Sequence, residues 1–433
     1  MKLNRLTTFI LAAMVLGILT GYVWREMATD EAAIKSFADN ISILTDVFLR
    51  LIKMIIAPLV FSTLVVGIAK MGDTKTVGRI GAKTMVWFMT ASFFSLSLGL
   101  VMVNLLKPGV GLGLPLPDVH ASSGIEAGAI TLKDFVTHAI PKSVVEAMGK
   151  NEILQIVVFS VFFGCAGAAI GERAKPVVDM LDSVAHIMLK VTGYVMNFAP
   201  LAVFAAIAAM VAKEGLGILA TYGTFMAEFY LSIGGLWLVL ILAGGLFLGR
   251  RVLTLMKMVR EPALLAFSTA SSEAAYPKTL ELLERFGCSR KVASFVLPMG
   301  YSFNLDGSMM YCTFATIFIA QAYGIHLTLA QEITMMLILM VTSKGMAGVP
   351  RASLVVIAAT LSQFNIPEAG LLLLLGIDHF LDMGRSATNV IGNAIAASVV
   401  AKSEGALGAG ELEGEDDDTD PDAEADDLAP ARA

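Results

Sequence analysis

One stretch near the C-terminal end limits what this chain can become. Gly376 to Lys402, GIDHFLDMGRSATNVIGNAIAASVVAK, is long enough to cross a bilayer yet carries two aspartates and an arginine in its first half. A membrane-spanning helix needs about 20 predominantly apolar residues, and a charge at its centre costs roughly 2.5–3.5 kcal/mol on insertion scales. Such residues persist where they pair with one another, line a cavity or meet a ligand. Here the polar positions are ordered: Asp378, Asp382, Arg385, Asn389 and Asn393 follow at steps of four, three, four and four. That spacing stacks them on one face of a helix with 3.6 residues per turn, so a helix with an inward polar stripe is predicted. A structural Asp382–Arg385 ion pair between helices is the plainer reading of the charges. The asparagines and Ser386 carry the stripe further than such a pair requires.

The remaining sequence supplies the surroundings. Hydrophobic residues make up 56% of the 433 and charged residues 16%, and several apolar runs reach spanning length. This excludes a single soluble domain and predicts an all-α polytopic membrane protein. The net charge of −6 hides an asymmetry, because residues 403–433 hold twelve acids and one arginine, leaving the body mildly basic. Cys165, Cys288 and Cys312 are odd in number and lack metal-ligand spacing, so they read as reduced thiols. No metal centre, redox role or organic cofactor is indicated.

Charge flanks set the order of crossings. Lys2 and Arg5 precede a first span, Leu6 to Trp24, that reads as an anchor with a cytoplasmic N-terminus. A second, Ile43 to Ile68, leads to Lys70, Lys75, Arg79 and Lys83, the clearest cytoplasmic signal in the chain. GRIGAKT in that loop fails as a phosphate loop because Ala82 stands where a glycine must precede Lys83. The third span is Met85 to Leu106, followed by a Gly/Pro-punctuated outer segment, Pro108 to Asn151, and a fourth span, Ile153 to Ile170. The fifth, Val177 to Ala212, breaks near Asn197 to Pro200, where proline removes a helix hydrogen bond. The sixth, Ile218 to Leu248, ends at Arg250 and Arg251.

Beyond Arg251 the pattern changes. Pro262 to Leu283 has cytoplasmic signals on both sides, Arg250, Arg251, Lys257 and Arg260 before it and Lys278, Arg285, Arg290 and Lys291 after. A segment with both ends on one side enters and returns, and its middle, STASSEAAYP, has the composition of a turn. Irregular backbone at that depth must be buried in protein or line a cavity. The seventh span, Lys291 to Ala320, is interrupted by SFNLDGS, which marks Asn304 and Asp306 as site residues. A second hairpin is predicted around Thr342 to Ser353, entering from outside, and the Gly376–Lys402 helix is the eighth span, ending in the cytoplasm. Two hairpin-plus-helix units of opposite orientation make the inverted-repeat, discontinuous-helix pattern of a secondary transporter with its site near the midplane.

These residues carry a family resemblance. SSEAAYP in the first hairpin, NLDGS in the broken span, SKGMAGVP in the second hairpin and DMGRSATNVIGN in the last helix resemble the dicarboxylate/amino acid:cation symporters, the glutamate transporter family, over about Phe9 to Glu404. The prokaryotic glutamate/aspartate branch is the nearer likeness. The resemblance implies a homotrimer in the cell (inner) membrane, with eight transmembrane helices, two re-entrant hairpins and an elevator-type mechanism. Residues 1–248 would be mostly scaffold, with part of the transport domain in the third span. Residues 249–402 would form the transport core, and 403–433 a disordered acidic cytoplasmic tail.

Carried over by position, Ser271, Ser272, main-chain groups near Gly348 and Ser353 would embrace the substrate. Arg385 would grip a side-chain carboxylate, Asp382 would meet an ammonium, Ser308 and Ser386 would offer hydroxyls, and Asn389 would bind the α-carboxylate. Glutamate or aspartate is the implied substrate. A C4-dicarboxylate carrier of the same family is the nearest alternative, since such members keep the arginine but usually lack the aspartate.

The coupling ion stays open between proton and sodium. Sodium-coupled members generally read NMDGT and end the last motif with Gly-Asp, whereas this chain has Leu305 and Asn393. Hydroxyls of another sodium site correspond to Phe88 and Ala91, although Ser92 remains. A hard cation wants charged oxygen ligands, so these changes favour protons, while Asn304, Asp306, Asn389, Asn393 and Gly300 still trace the ion region. Cys312 stands where animal carriers have a glutamate, which leaves Glu273, Asp306 and Asp378 as proton-carrier candidates. Glu273 reads equally well as a cap of the hairpin turn.

Other classes fit less well. A channel needs a continuous polar pore, and a hydrolase built on Ser271, Ser272 and Asp306 would lack a Gly-x-Ser-x-Gly elbow and a histidine base. No catalytic residue and no nucleic-acid partner is expected. Membrane lipid and a small acidic substrate are.

Overall fold

The computed structural model describes residues 5–70, 74–111, 116–118, 139–216, 222–343, 352–375 and 377–408. Among these, regular structure is helical apart from one isolated pairing of Cys288 with Leu407.

The helices are α1 (Arg5–Met27), α2 (Glu31–Ala69), α3 (Thr74–Leu106), α4 (Val144–Gly149), α5 (Ile153–Ile170), α6 (Lys175–Met196), α7 (Ala199–Glu214) and α8 (Gly223–Leu248). They continue as α9 (Arg251–Thr269), α10 (Tyr276–Arg285), α11 (Arg290–Phe303), α12 (Asp306–Ala322), α13 (Leu329–Thr342), α14 (Ala352–Gln363) and, after a single helical turn at Leu372–Leu375, α15 (Asp378–Ser403). Their limits follow local chemistry. Asp30 caps α2 by accepting from the Ala33 amide at 2.7 Å, so α2 begins twelve residues before the apolar run expected at Ile43. Thr328 and Gln331 form a reciprocal capping box at α13. Pro200 in the first turn of α7 ends α6, and the two helices meet at a 51° bend.

Five helices, α1, α2, α3, α5 and α8, are long and apolar enough to cross a membrane, and the bent α6–α7 pair makes a sixth. The two further spans expected from sequence fall short of that standard, α11 and α12 because the break leaves them only 14 and 17 residues long and α15 because it is polar. Burial explains how both can carry polar residues. Of 26 residues in α15, 22 are buried, and α12 is buried from Asp306 to Ala320. A helix sheathed in protein needs no apolar exterior.

Both arms expected of the first hairpin are present as helices, α9 and α10. α9 ends at Ala270, whose φ of 49° is left-handed, and Ser271 N–H reaches back to the Ala266 carbonyl at 3.1 Å, a Schellman-type stop. A 3-10 turn, Glu273–Ala275, then starts α10. Arg251 donates to the Phe286 carbonyl at 2.9 Å, which brings the two ends together. The arms expected of the second hairpin correspond to α13 and α14. Its expected tip, with Lys344, Gly348 and Arg351, lies outside the described residues, as does the acidic run from residue 409.

Packing sorts the helices into two groups. In one, α2 holds α5, α6 and α7, and α1 lies along α7. In the other, α15 is surrounded by α8, α9, α11 and α12, with α3 against α12 and α14 against α12. α8, placed by sequence on the scaffold side of the 248 boundary, is pinned to α15 by Tyr230 O–H donating to the Phe380 carbonyl at 2.6 Å and Trp237 N–H donating to Thr388 at 2.8 Å. The groups meet where α11 and the 3-10 turn lie on α2, and α9 touches α7 and α1.

At one end, residues 404–408 form a strap. Glu404 receives Arg79 at 2.8 Å and pairs with Lys83, both from α3. Ser289 N–H donates to the Ala406 carbonyl at 2.9 Å, and Gly408 N–H to the Gly287 carbonyl at 2.8 Å. Arg251 donates to the Gly408 carbonyl at 2.9 Å. α3, the base of the first hairpin and α15 are thereby sewn together.

Candidate binding site

The stripe predicted on α15 faces inward. Asp378, Arg385, Ser386, Asn389 and Asn393 are all buried, with Arg385 2% exposed, and Asp382 is half-buried. The arginine is held from three directions. Its Nη2 lies 3.1 Å from Asp378 Oδ1 and 3.0 Å from Asp382 Oδ1, and its guanidinium sits 4.1 Å from the centre of the Tyr311 ring, a cation–π contact. Tyr311 O–H donates to Asp378 at 3.4 Å. The Asp382–Arg385 ion pair is therefore present, but it lies within one helix. Arg385 Nε and Nη1 are buried without a hydrogen-bond partner among the described residues, so much of the guanidinium fork is uncommitted. Buried donors in that condition favour an anion that can take them, and a carboxylate fits the fork bidentately.

Below the arginine, α12 comes in close. A Cβ on Gly307 would lie 2.6 Å from the Arg385 carbonyl oxygen, so a larger residue would push α12 off α15. Asn389 Oδ1 accepts from the Gly307 and Ser308 amides at 2.9 and 3.4 Å, and its Nδ2 donates to Ser308 Oγ at 3.3 Å. One turn further on, Asn304 Nδ2 donates to Asp306 Oδ2 at 2.9 Å and to Asn393 Oδ1 at 3.1 Å. Ser95 of α3 donates to Asp306 Oδ1 at 3.0 Å. A Cβ on Gly300 would collide with the Asn393 amide. Asn304 Oδ1 and Asn393 Nδ2 have no partner among the described residues. The α11–α12 break thus joins α3 and α15 through amides and one carboxylate.

Sequence-selected residues therefore fall into three places. Asp378, Asp382 and Arg385 form one cluster, Ser308 and Asn389 a second, and Gly300, Asn304, Asp306 and Asn393 a third, stacked along α15. Ser271 and Ser272 lie half-buried at the end of α9, which packs beside α15, and Ser271 Oγ accepts from the Ala274 amide at 3.3 Å. Ser353, buried, stands near the start of α14. Glu273 is separate. Its turn packs on α2, and Lys53 of α2 is within electrostatic reach of it without forming an ion pair. Phe88 is buried, and Ser92 hydrogen-bonds the Phe88 carbonyl at 2.6 Å. His379 points outward.

Tyr311 and Ser95 were not singled out from sequence. Tyr311 lies one residue before Cys312 and one turn beyond Gly307, so α12 periodicity from NLDGS would have found it. Ser95 follows Ser92 by three residues on α3.

A bundle of apolar helices closed around a buried, partly committed guanidinium and a broken polar helix defines a membrane transporter. The chain belongs to the sodium:dicarboxylate symporter family, which it matches over residues 6–403. It is 39% identical over 409 residues to the C4-dicarboxylate transport protein of Bacillus subtilis (strain 168), covering 93% of this chain and 95% of that protein. It is 40% identical over 403 residues to the proton/sodium-glutamate symport protein of Geobacillus stearothermophilus, with 92% and 94% covered. A C4-dicarboxylate transport protein of Laribacter hongkongensis (strain HLHK9) is 40% identical over 413 residues, with 94% and 91% covered. The resemblance carried by the four motifs is borne out. The protein is a symporter, not an enzyme.

Proposed function

We propose that this protein imports glutamate and aspartate together with protons, as a homotrimer of the cell (inner) membrane with both termini in the cytoplasm. The observation that carries the substrate reading is Arg385. It is buried, stacked on Tyr311, flanked by Asp382, and has two nitrogens without a protein partner among the described residues. A substrate carboxylate takes those donors, while its ammonium meets Asp382, whose half-exposed side chain is held by Arg385 through one oxygen. Asn389 holds the α-carboxylate beside Ser308. Ser271, Ser272, Ser353 and the Gly348 backbone close over it.

Asn393 and Phe88 support protons. An amide and an apolar ring provide no charge for sodium, leaving Asp306 as the one carboxylate in the lower cluster. Glu273, Asp306 and Asp378 are the carriers this reading offers. The two helix groups support an elevator in which α3 and α8–α15 slide along α2 and α7, with α11–α12 and α15 as the seventh and eighth spans. Two alternatives have support of their own. Relatives named for C4-dicarboxylate transport are as similar as those named for glutamate, and Asp306 with the Asn304 carbonyl still offers sodium two oxygens.

Uptake of labelled glutamate and aspartate into proteoliposomes, driven in turn by proton and sodium gradients with succinate as competitor, tests the proposal. Accumulation on a proton gradient without sodium supports it. Accumulation only with sodium assigns the coupling to Asp306 and main-chain oxygens, and succinate uptake without amino-acid uptake moves the protein to the C4-dicarboxylate group.

A further inference from the structure

Under the first hairpin, against α2, lies a set of polar groups that the binding site does not use. Tyr276 of α10 and Tyr301 and Ser294 of α11 are each 4% exposed or less. None of their three hydroxyls has a hydrogen-bond partner among the described residues. Unpaired buried hydroxyls are uncommon and costly, and these three lie where α10, α11 and α2 come together. The Tyr276 and Tyr301 rings meet edge to face at 5.5 Å. Tyr276 stands beside Thr63 of α2, and Tyr301 beside Thr279 of α10.

The groups are ordered along the helices. At the outer end is Glu273, three residues before Tyr276 and within electrostatic reach of Tyr301. Next come the two tyrosines and Thr63. One helical turn beyond Thr63 along α2 is Gly67, where a Cβ would lie 2.9 Å from Ser294 Oγ. One turn beyond Ser294, at the start of α11, is Arg290, which contacts Glu284 at 3.4 Å and His186 at 3.1 Å. Nearby, Lys291 donates to the Lys70 carbonyl at 2.6 Å and Lys70 pairs with Asp182 at 3.1 Å. The run therefore begins at the hairpin tip and ends in a charged rim on the side marked cytoplasmic by Lys70, Arg285, Arg290 and Lys291.

We propose that Tyr301, Tyr276, Thr63 and Ser294 form a proton path linking Glu273 to the cytoplasm. The proposal rests on the proton-coupled reading and selects Glu273 among its carriers. A hydroxyl both accepts and donates; since none of these hydroxyls hydrogen-bonds another, a water between neighbours completes each hand-over, every oxygen taking one proton and giving up its own, and the tyrosines stay neutral throughout. On release, the proton leaves the Glu273 carboxyl, crosses the hydroxyls and joins a water at the Glu284–Arg290 rim, and Glu273 remains as a carboxylate. The charged and titratable groups within its electrostatic reach are Lys53 from α2 and Tyr301 from α11, with Tyr276 of α10 three residues along the chain. Lys53 receives the new carboxylate, so loss of the proton changes the attraction between the hairpin and α2.

The test compares proton-driven net uptake with substrate exchange in proteoliposomes, because exchange moves no net proton. Tyr276→Phe/Tyr301→Phe keeps both rings and removes both hydroxyls. It is expected to slow net uptake about tenfold, equivalent to about 1.4 kcal/mol of barrier, with exchange rate and substrate affinity unchanged. Ser294→Ala is expected to slow net uptake in the same selective way, and Glu273→Gln to abolish proton-driven uptake. Equal loss of exchange and net uptake in the tyrosine variant would make the rings structural and overturn the path. Wild-type net uptake in that variant, with Glu273→Gln inactive, overturns the path and leaves Glu273 as carrier. Proton-driven uptake by Glu273→Gln removes the carrier assignment and the path with it.

Discussion

Arg385 offers three nitrogens, and Asp378 and Asp382 share one of them. Charge-assisted hydrogen bonds contribute about 1.5–3 kcal/mol each, so losing the two that a carboxylate would make lowers affinity at least about a hundredfold at about 1.4 kcal/mol per decade. Arg385→Ala is expected to show that loss in equilibrium binding of glutamate. Arg385→Lys keeps the charge without the fork and should recover only part of it; full recovery would mean that charge alone is read. Asp382→Ser is expected to weaken glutamate and aspartate more than succinate in competition assays, and equal weakening would remove the ammonium from its role. These residues were legible because four-and-three spacing put them on one face before any fold was known. Tyr311 and Ser95 were not, since a lone tyrosine or serine in an apolar run gains its meaning only from the helix brought against it.

At the scale of elements, the interrupted span does most to shape the lower site. Asn304 and Leu305 leave helical geometry, at φ −129° and −92°, and that places Asn304, Asp306 and Asn393 within one hydrogen-bonded set. Asn393→Asp would add a second carboxylate beside Asp306, an arrangement that calls for a cation between them. Sodium dependence of uptake is expected to increase in this variant, measured as the rate ratio with and without a sodium gradient. An unchanged ratio would separate Asn393 from the coupling ion. The break was readable because Asn-Leu-Asp-Gly has no place in a lipid-facing helix, and the first hairpin because cationic residues flank both sides. The early start of α2 was hidden, because residues 31–42 mix charged and apolar side chains and only the Asp30 cap reveals a helix there. α8 likewise reads as an ordinary apolar span, and only Tyr230 and Trp237, bonded to α15, show which helices it accompanies.

For the molecule as a whole, the strap at residues 404–408 decides which helices hold together. Hydrogen bonds from Arg79, assisted by Lys83 and opposed by partial burial, keep the Glu404 carboxyl below the usual glutamate range. A carboxyl lowered in the folded state stabilises above the unfolded value of about 4.5, and that contribution is lost as pH falls through the folded value. The strap is thus expected to be intact at pH 6 and to open under stronger acid, seen as faster amide exchange at Ala406 and Gly408. Glu404→Gln should show the faster exchange already at pH 6, and equal exchange in the two proteins would assign the strap to its main-chain bonds. The same anchorage makes residue 408 a point of departure. Whatever follows it in the chain leaves from the body that carries Arg385, not from α2 or α6. A donor dye on Gly405 and an acceptor on α6 would then form a ruler across the two bodies, and under the elevator reading its length would change once in each direction per turnover.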